Sequence, residues 1–177
     1  MKTLIFDTET TGLRLPRLAS IKRQPFIIEY YGCVIDESTG SIVSEIDELI
    51  SVPVPITKEI TKITGIAPDD LEGKPRFELV APRIKEQIES VDRVVAHNAT
   101  FDRDMVDADM QRVGLSVQWP EIVCTVEQTE WIKGHRLKLT DLHEYLFDDK
   151  FSGAHRARED VAALVRCYCE LRKRGDL

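Results

Sequence analysis

Two carboxylates one residue apart stand near the start of the chain: Asp7 and Glu9, in Phe6-Asp7-Thr8-Glu9-Thr10-Thr11-Gly12-Leu13. They follow the apolar run Leu4-Ile5-Phe6, which reads as a buried strand. Side chains at i and i+2 of a strand share a face, so these acids would stand side by side at the strand's end. Two like charges that close are unfavourable unless a cation lies between them. Hard divalent cations with oxygen ligands meet that demand. Two surface acids on a solvated turn are the plain alternative. The buried strand before the pair and the Thr-Thr-Gly turn after it favour the metal.

Two later segments offer partners. His97-Asn98-Ala99-Thr100-Phe101-Asp102 follows the short apolar run 91–96 and leads into a helical pattern. Strand-to-helix junctions of an α/β sheet lie at the edge where ligands bind, and Asp102 would occupy the first helical turn there. An acid in that turn also simply favours the helix dipole. Spacing alone separates neither these two readings nor Asp102 from Asp104. The segment Gly153-Ala154-His155-Arg156-Ala157-Arg158-Glu159-Asp160 puts a histidine in a loop and two acids at the start of the last helix. Histidine has the pKa best suited to take a proton near neutrality. Glu159 and Asp160 compete as the acid.

The elements that must position these residues follow from periodicity. Residues 2–7, 25–35 and 41–51 read as an antiparallel three-stranded meander, with a loop from Thr10 to Gln24 and a turn at Ser38-Thr39-Gly40. Thr57 caps a helix over 58–64 that Gly65 ends. A helix over 77–90 has Phe77, Val80, Ala81, Ile84 and Ile88 as its apolar face, with Pro82 against its early part. Strands are expected at 91–96 and 121–124, with a helix between them that Gly114 ends. Helices follow at 126–132, at 140–147 with Thr140 as cap, and at 157–172. Three strands, then alternating helices and strands, then a helical tail make an α/β domain with a mixed sheet.

Composition narrows the classes. A chain of 177 residues fits one domain with a single core. The net charge of −7, from 31 acids against 24 bases, argues against a passive basic coat for nucleic acid. It leaves room for a cation-binding site. No apolar run approaches the roughly 20 residues of a membrane helix, and the apolar start is too short for a signal peptide. A cytoplasmic protein with no membrane contact is the expectation. Cys33, Cys124 and the pair Cys167 and Cys169 lack the spacing of a zinc site and read as reduced, structural residues. Two basic stretches could grip a phosphate backbone or be solvated loops: Arg14 to Arg23, which holds no acid, and Lys133 to Lys138.

Taken in order, Phe-Asp-Thr-Glu-Thr-Thr-Gly, His-Asn-Ala-x-Phe-Asp and His-Arg-Ala-x-x-Asp resemble the DEDDh exonucleases, the family of the DNA polymerase III epsilon proofreading subunit. Ile63-Thr64-Gly65-Ile66 and Cys124-Thr125 add minor matches, and the resemblance runs from residue 4 to about 165. It implies a ribonuclease H-like fold: a mixed five-stranded sheet, antiparallel meander then parallel strands, flanked by helices, as one exonuclease domain over 1–177. The implied activity is metal-dependent 3′→5′ hydrolysis of phosphodiester bonds, releasing 5′-mononucleotides. Two divalent cations, Mg2+ or Mn2+, would be held by Asp7, Glu9, Asp102 and Asp160, with Asp7 central and His155 as general base. The resemblance thus selects Asp160 over Glu159. It places Thr10, Gly12 and Leu13 against the terminal nucleotide, and His97, Asn98 and Phe101 along the site.

As substrate, the resemblance implies the 3′ end of a nucleic acid. The Thr-Thr-Gly run leans toward the proofreading-type group, because oligoribonucleases of the superfamily tend to have Met where this chain has Thr10, and single-stranded DNA is the favoured substrate. RNA trimming is the alternative. A non-catalytic binding module is a second, opposed by competent residues at all five core positions. A polymerase or other replication or repair partner and a homodimer both remain open. The chain departs from the family in the basic loop between Leu13 and Phe26, which contains Pro16, and in Tyr30 and Tyr31, where smaller residues are usual. Both departures concern the substrate entrance rather than the chemistry.

Overall fold

The structure is a computed structural model that describes residues 1–16, 19–149, 151 and 156–177. Its strands are β1 (Lys2–Thr10), β2 (Ile27–Asp36), β3 (Ser41–Leu49), β4 (Arg93–Ala96) and β5 (Glu121–Cys124). Its helices are α1 (Lys58–Thr64), α2 (Phe77–Glu89), α3 (Ala99–Arg112), α4 (Thr125–Gln128), α5 (Leu139–Phe147) and α6 (Ala157–Arg174). The sheet has the order β3-β2-β1-β4-β5. β1, β2 and β3 are antiparallel neighbours, and β4 and β5 are parallel to β1. This is the expected mixed five-stranded sheet, with β1 in the centre.

The two-residue period of the strands sorts the core into two layers. Leu4 and Phe6 of β1 join Tyr30, Val34 and Val94 on one face, beneath Val80, Ile84 and Ile88 of α2 and Met105 and Val106 of α3. Ile5 joins Tyr31, Cys33, Ile35 and Val95 on the other face, beneath Leu142 of α5 and Val161, Leu164 and Tyr168 of α6. Each such side chain, taken fully out of water, contributes about 1.5–3 kcal/mol. The four cysteines are free thiols. Among the described residues, no helix is long and apolar enough to cross a membrane.

Several local expectations are corrected. β1 runs on to Thr10, so Asp7 and Glu9 lie within a paired strand, with a bulge between Glu9 and Thr10. The single helix expected over 126–132 is α4 followed by a 3₁₀ turn, Glu130–Ile132. The break falls at Thr129, at φ −110°, whose amide and hydroxyl both donate to the Thr125 carbonyl, at 3.1 and 2.6 Å, a back-bonding that bends helices. Thr140 lies inside the first turn of α5 rather than capping it, because the helix starts at Leu139. Pro82 remains within α2, on its exposed side. α6 continues to Arg174, where Gly175 takes a left-handed conformation at φ 77°.

Packing around β2 accounts for the unusual tyrosine before Gly32. Tyr30 is fully buried, and its hydroxyl donates to Gln87 Oε1 of α2 at 2.9 Å. Gln87 Nε2 in turn donates to the Gly32 carbonyl at 3.0 Å. A Cβ on Gly32 would lie 2.8 Å from both the Tyr30 hydroxyl and Gln87 Oε1, so the large ring fits because the glycine lacks one. Gly32→Ala should therefore lower the unfolding free energy in urea by about 1–3 kcal/mol, the usual cost of overpacking. The loss should be smaller in a Tyr30→Phe background. An unchanged midpoint would contradict this packing.

Candidate active site

Asp7 and Glu9 share the face of β1 that Ile5 turns toward α6. The antiparallel register places Tyr31 opposite Asp7 and Glu29 opposite Glu9. α6 brings in Asp160 from its first turn. One oxygen from each of Asp7, Glu9 and Asp160 lies within 4.8 Å of the others, and all three residues are half-buried. Glu159 is exposed, since one helical step turns it away from Asp160.

Asp102 approaches from the opposite face. β4 pairs with β1 only as far as Ile5. Beyond that point the Thr8 amide donates to Asp102 Oδ1 at 3.1 Å and the Thr8 hydroxyl donates to the same oxygen at 2.8 Å. A side-chain carboxylate thus continues the sheet where the strand has left it. Asp102 is 2% exposed, in the first turn of α3, which begins after Asn98 in a left-handed conformation at φ 71°. β1 therefore presents two acids to one layer and binds a third from the other.

Electrostatics follow from this crowding. Burial, and then the charges of Asp102, Glu9, Asp160 and Glu29, hold the Asp7 carboxyl well above the ordinary range. Burial and the neighbouring acids push Glu9 up to about 8, with Arg156 pulling the other way. Burial raises Asp102 to about 7 against the pull of the Thr8 bonds. A carboxyl raised on folding contributes stability that is full below its unfolded pKa and is lost as pH rises through the folded one. For Glu9 that window runs from about 4.5 to about 8. Near neutrality the metal-free cluster therefore resists ionisation, and a cation would reverse the balance. The donors are all carboxylate oxygens, a set suited to hard divalent ions.

The other sequence candidates are distributed around this centre. His155 lies outside the described residues. Both ring nitrogens of His97 are engaged, Nδ1 with the Thr125 hydroxyl at 2.9 Å and Nε2 with the Leu137 carbonyl at 3.0 Å. The carbonyl can only accept, so Nε2 carries the proton and Thr125 donates to Nδ1. Burial lowers the His97 pKa to about 4, which keeps the ring neutral. Thr10 spends its hydroxyl on the Gly12 carbonyl at 2.7 Å, closing the turn that leaves Leu13 84% exposed. Asn98 is exposed, and Phe101 packs partly against the core.

Beyond Leu13, Arg14 pairs with Asp104 at 2.6 Å, and Gln24 closes the neck of the loop through Leu15. Arg112 of α3 donates to the carbonyls of Ile21 and Pro25, each at 2.8 Å, and Asp109 accepts from the Ile27 amide at 2.8 Å. These supports were not evident in the sequence. Neither was Glu29, whose carboxylate receives Arg156 and the Ala157 amide. A single acid within Ile27-Ile28-Glu29-Tyr30-Tyr31 was the available signal.

Comparison with known proteins agrees with this geometry. A family model described as exonuclease matches residues 4–168. The chain is 30% identical over 170 residues to a PolC-type DNA polymerase III from Caldanaerobacter subterraneus subsp. tengcongensis, covering 95% of this chain and 11% of that protein. It is 28% identical over 172 residues to the 3′-5′ exonuclease DinG of Bacillus subtilis, covering 95% of this chain and 17% of that one. The chain thus spans about a tenth of the length of the polymerase relatives it matches. Its fold is shared with E. coli ExoI in an ssDNA complex, at TM-score 0.80 and 16% identity over 98% of this chain and 41% of that one. It is also shared with the nuclease domain of 3′hExo, a DEDDh family member bound to rAMP, at TM-score 0.76 and 14% identity over 98% and 92%. With nearly the whole chain matched, this protein belongs to the DEDDh 3′→5′ exonuclease family, whose members are nucleases that need divalent metal ions.

Proposed function

We propose that this chain forms a single exonuclease domain that removes 5′-mononucleotides from the 3′ end of single-stranded DNA. In this reading Asp7, Glu9, Asp102 and Asp160 hold two divalent cations, and His155 is the general base. The convergence of Asp7, Glu9 and Asp160 within 4.8 Å carries the reading. When bound, the cations, Mg2+ or Mn2+, would lower the pKa of the attacking water and offset charge on the phosphate and the leaving 3′ oxygen. His155 would take the proton of that water. Thr8 fixes the Asp102 carboxylate, so this acid loses little freedom when a ligand arrives. Leu13, on its closed turn, would rest against the terminal base.

The same edge of the sheet supports a path for the strand. Leu137 belongs to the basic stretch Lys133 to Lys138 and is tied to His97, just before α3. Trp131, 60% exposed, stands next to that stretch in sequence. Cations and an exposed aromatic suit a phosphate backbone with stacked bases, a mode that tolerates any sequence. RNA trimming would use the same chemistry, and the fold shared with a nuclease domain solved with rAMP keeps it as the second reading.

Incubating the protein with Mg2+ or Mn2+ and 3′-labelled single-stranded DNA, duplex DNA or RNA tests this directly. Metal-dependent release of mononucleotides, fastest from single-stranded DNA, is expected. Asp7→Ala should abolish it, and His155→Ala should lower kcat by about 10²–10⁴-fold. Faster release from RNA would move the assignment to RNA. No release from any substrate would leave a binding module and overturn the enzyme reading. The strand path has its own check: neutralising Lys133, Arg136 and Lys138 together in an Asp7→Asn protein should reduce the slope of log affinity against log salt by about 2, at roughly 0.7 per phosphate contact. An unchanged slope would rule out that path.

A further inference from the structure

α6 carries Asp160 yet begins without a cap of its own. Arg156 occupies the cap position and makes no side-chain cap bond. The first helical amide, Ala157 N, instead donates at 3.0 Å to Glu29 Oε2, on β2. The same carboxylate receives Arg156 in a fork, Nη2 to Oε1 at 2.8 Å and Nε to the two oxygens at 3.2 and 3.3 Å. Glu29 is 2% exposed and stands opposite Glu9 in the sheet, so this anchor adjoins the acidic cluster.

The placement of this pair is informative. A buried ion pair is often no more stabilising than apolar side chains of the same volume. Stability alone therefore gives little reason for a buried carboxylate near the start of β2. The cluster does give one. Without a cation, Asp7, Glu9 and Asp160 repel to the extent that they ionise, and that repulsion acts to push the start of α6 away from β1. The anchor opposes this push at Arg156 and Ala157, within one helical turn of Asp160.

We propose that Glu29 and Arg156 form a latch that holds Asp160 at ligand distance before the cation arrives. Glu29 is thus a positioning residue for the metal site. The inference rests on Asp160 being a metal ligand. A latch of this kind removes from metal binding the cost of drawing the helix in, and so raises affinity rather than the intrinsic rate. Arg158 provides the contrast. It joins the same turn of α6 to β3 through Asp47 at 2.8 Å, on an exposed surface.

Mn2+ binding to the full chain without substrate, measured by calorimetry alongside thermal unfolding, separates the roles. Glu29→Gln and Arg156→Ala should each weaken Mn2+ binding by about 10–100-fold, the usual effect of losing an outer-shell partner. Arg156→Lys should recover part of that loss, and kcat at saturating Mn2+ should stay near the unaltered protein's. Arg158→Ala should lower Tm slightly and leave Mn2+ affinity alone. The latch is overturned if Glu29→Gln and Arg156→Ala lower Tm while Mn2+ affinity is unchanged. Should Glu29→Gln not fold, Arg156→Ala decides the matter, because it leaves the Ala157 bond in place. Asp160→Asn tests the premise: unchanged Mn2+ affinity in that variant would refute the metal-site reading rather than the latch.

Discussion

The repulsion among Asp7, Glu9 and Asp160 is the constraint around which the rest of the structure is arranged. Side chains this close cannot all ionise cheaply in the absence of a cation, and burial deepens the penalty. The backbone must hold them against that force. β1 does so as the central strand of the sheet, paired with β2 along its whole length. Its alternation then divides the labour: Asp7 and Glu9 face α6, while Thr8 faces α3 and secures Asp102. One strand end thereby gathers acids from both layers.

The supports differ in chemistry. Asp102 is held by two hydrogen bonds that take the place of a departed strand. Asp160 depends on a helix whose first amide is satisfied from another element. His97 is a neutral strut between β4 and the segment before α5. The loop after the Thr-Thr-Gly turn is fastened at its neck by Gln24 and at its exit by Arg112 and Asp109. A site built on mutually repelling groups is a place where stability is given up for function, and these anchors limit the loss.

Much of this was legible in the sequence, for physical reasons. Asp7 and Glu9 stood out because a strand puts i and i+2 on one face, a rule that needs no tertiary knowledge. Four of the five strands were visible as largely apolar runs, β3 as a partly alternating one, and α6 as a clean helical stripe. Asp102 and Asp160 were not separable by spacing from Asp104 and Glu159, because which helical residue faces the sheet depends on how the helix is rotated when it packs. The ordered motifs supplied that information. What stayed hidden was pairwise and long-range: Thr8 with Asp102, Glu29 with Arg156, Asp109 with the Ile27 amide. Each joins residues more than 80 positions apart, and no local pattern encodes them. The break at Thr129 was missed for the opposite reason, since a local bond from a side-chain hydroxyl to the carbonyl four residues back leaves no mark on helical periodicity.

The most direct test of the account is the number of protons released when a cation binds. At pH 7 the metal-free protein should hold protons within the cluster, since Glu9 titrates near 8 and Asp7 lies well above its ordinary range. Calorimetric titration with Mn2+ in buffers of different ionisation enthalpy measures their release. At least one proton should leave per protein molecule at pH 7, and release should fall as the pH is raised past about 8. Mn2+ binding at pH 7 with no proton release, or no binding at all, would contradict a site organised by carboxylate repulsion.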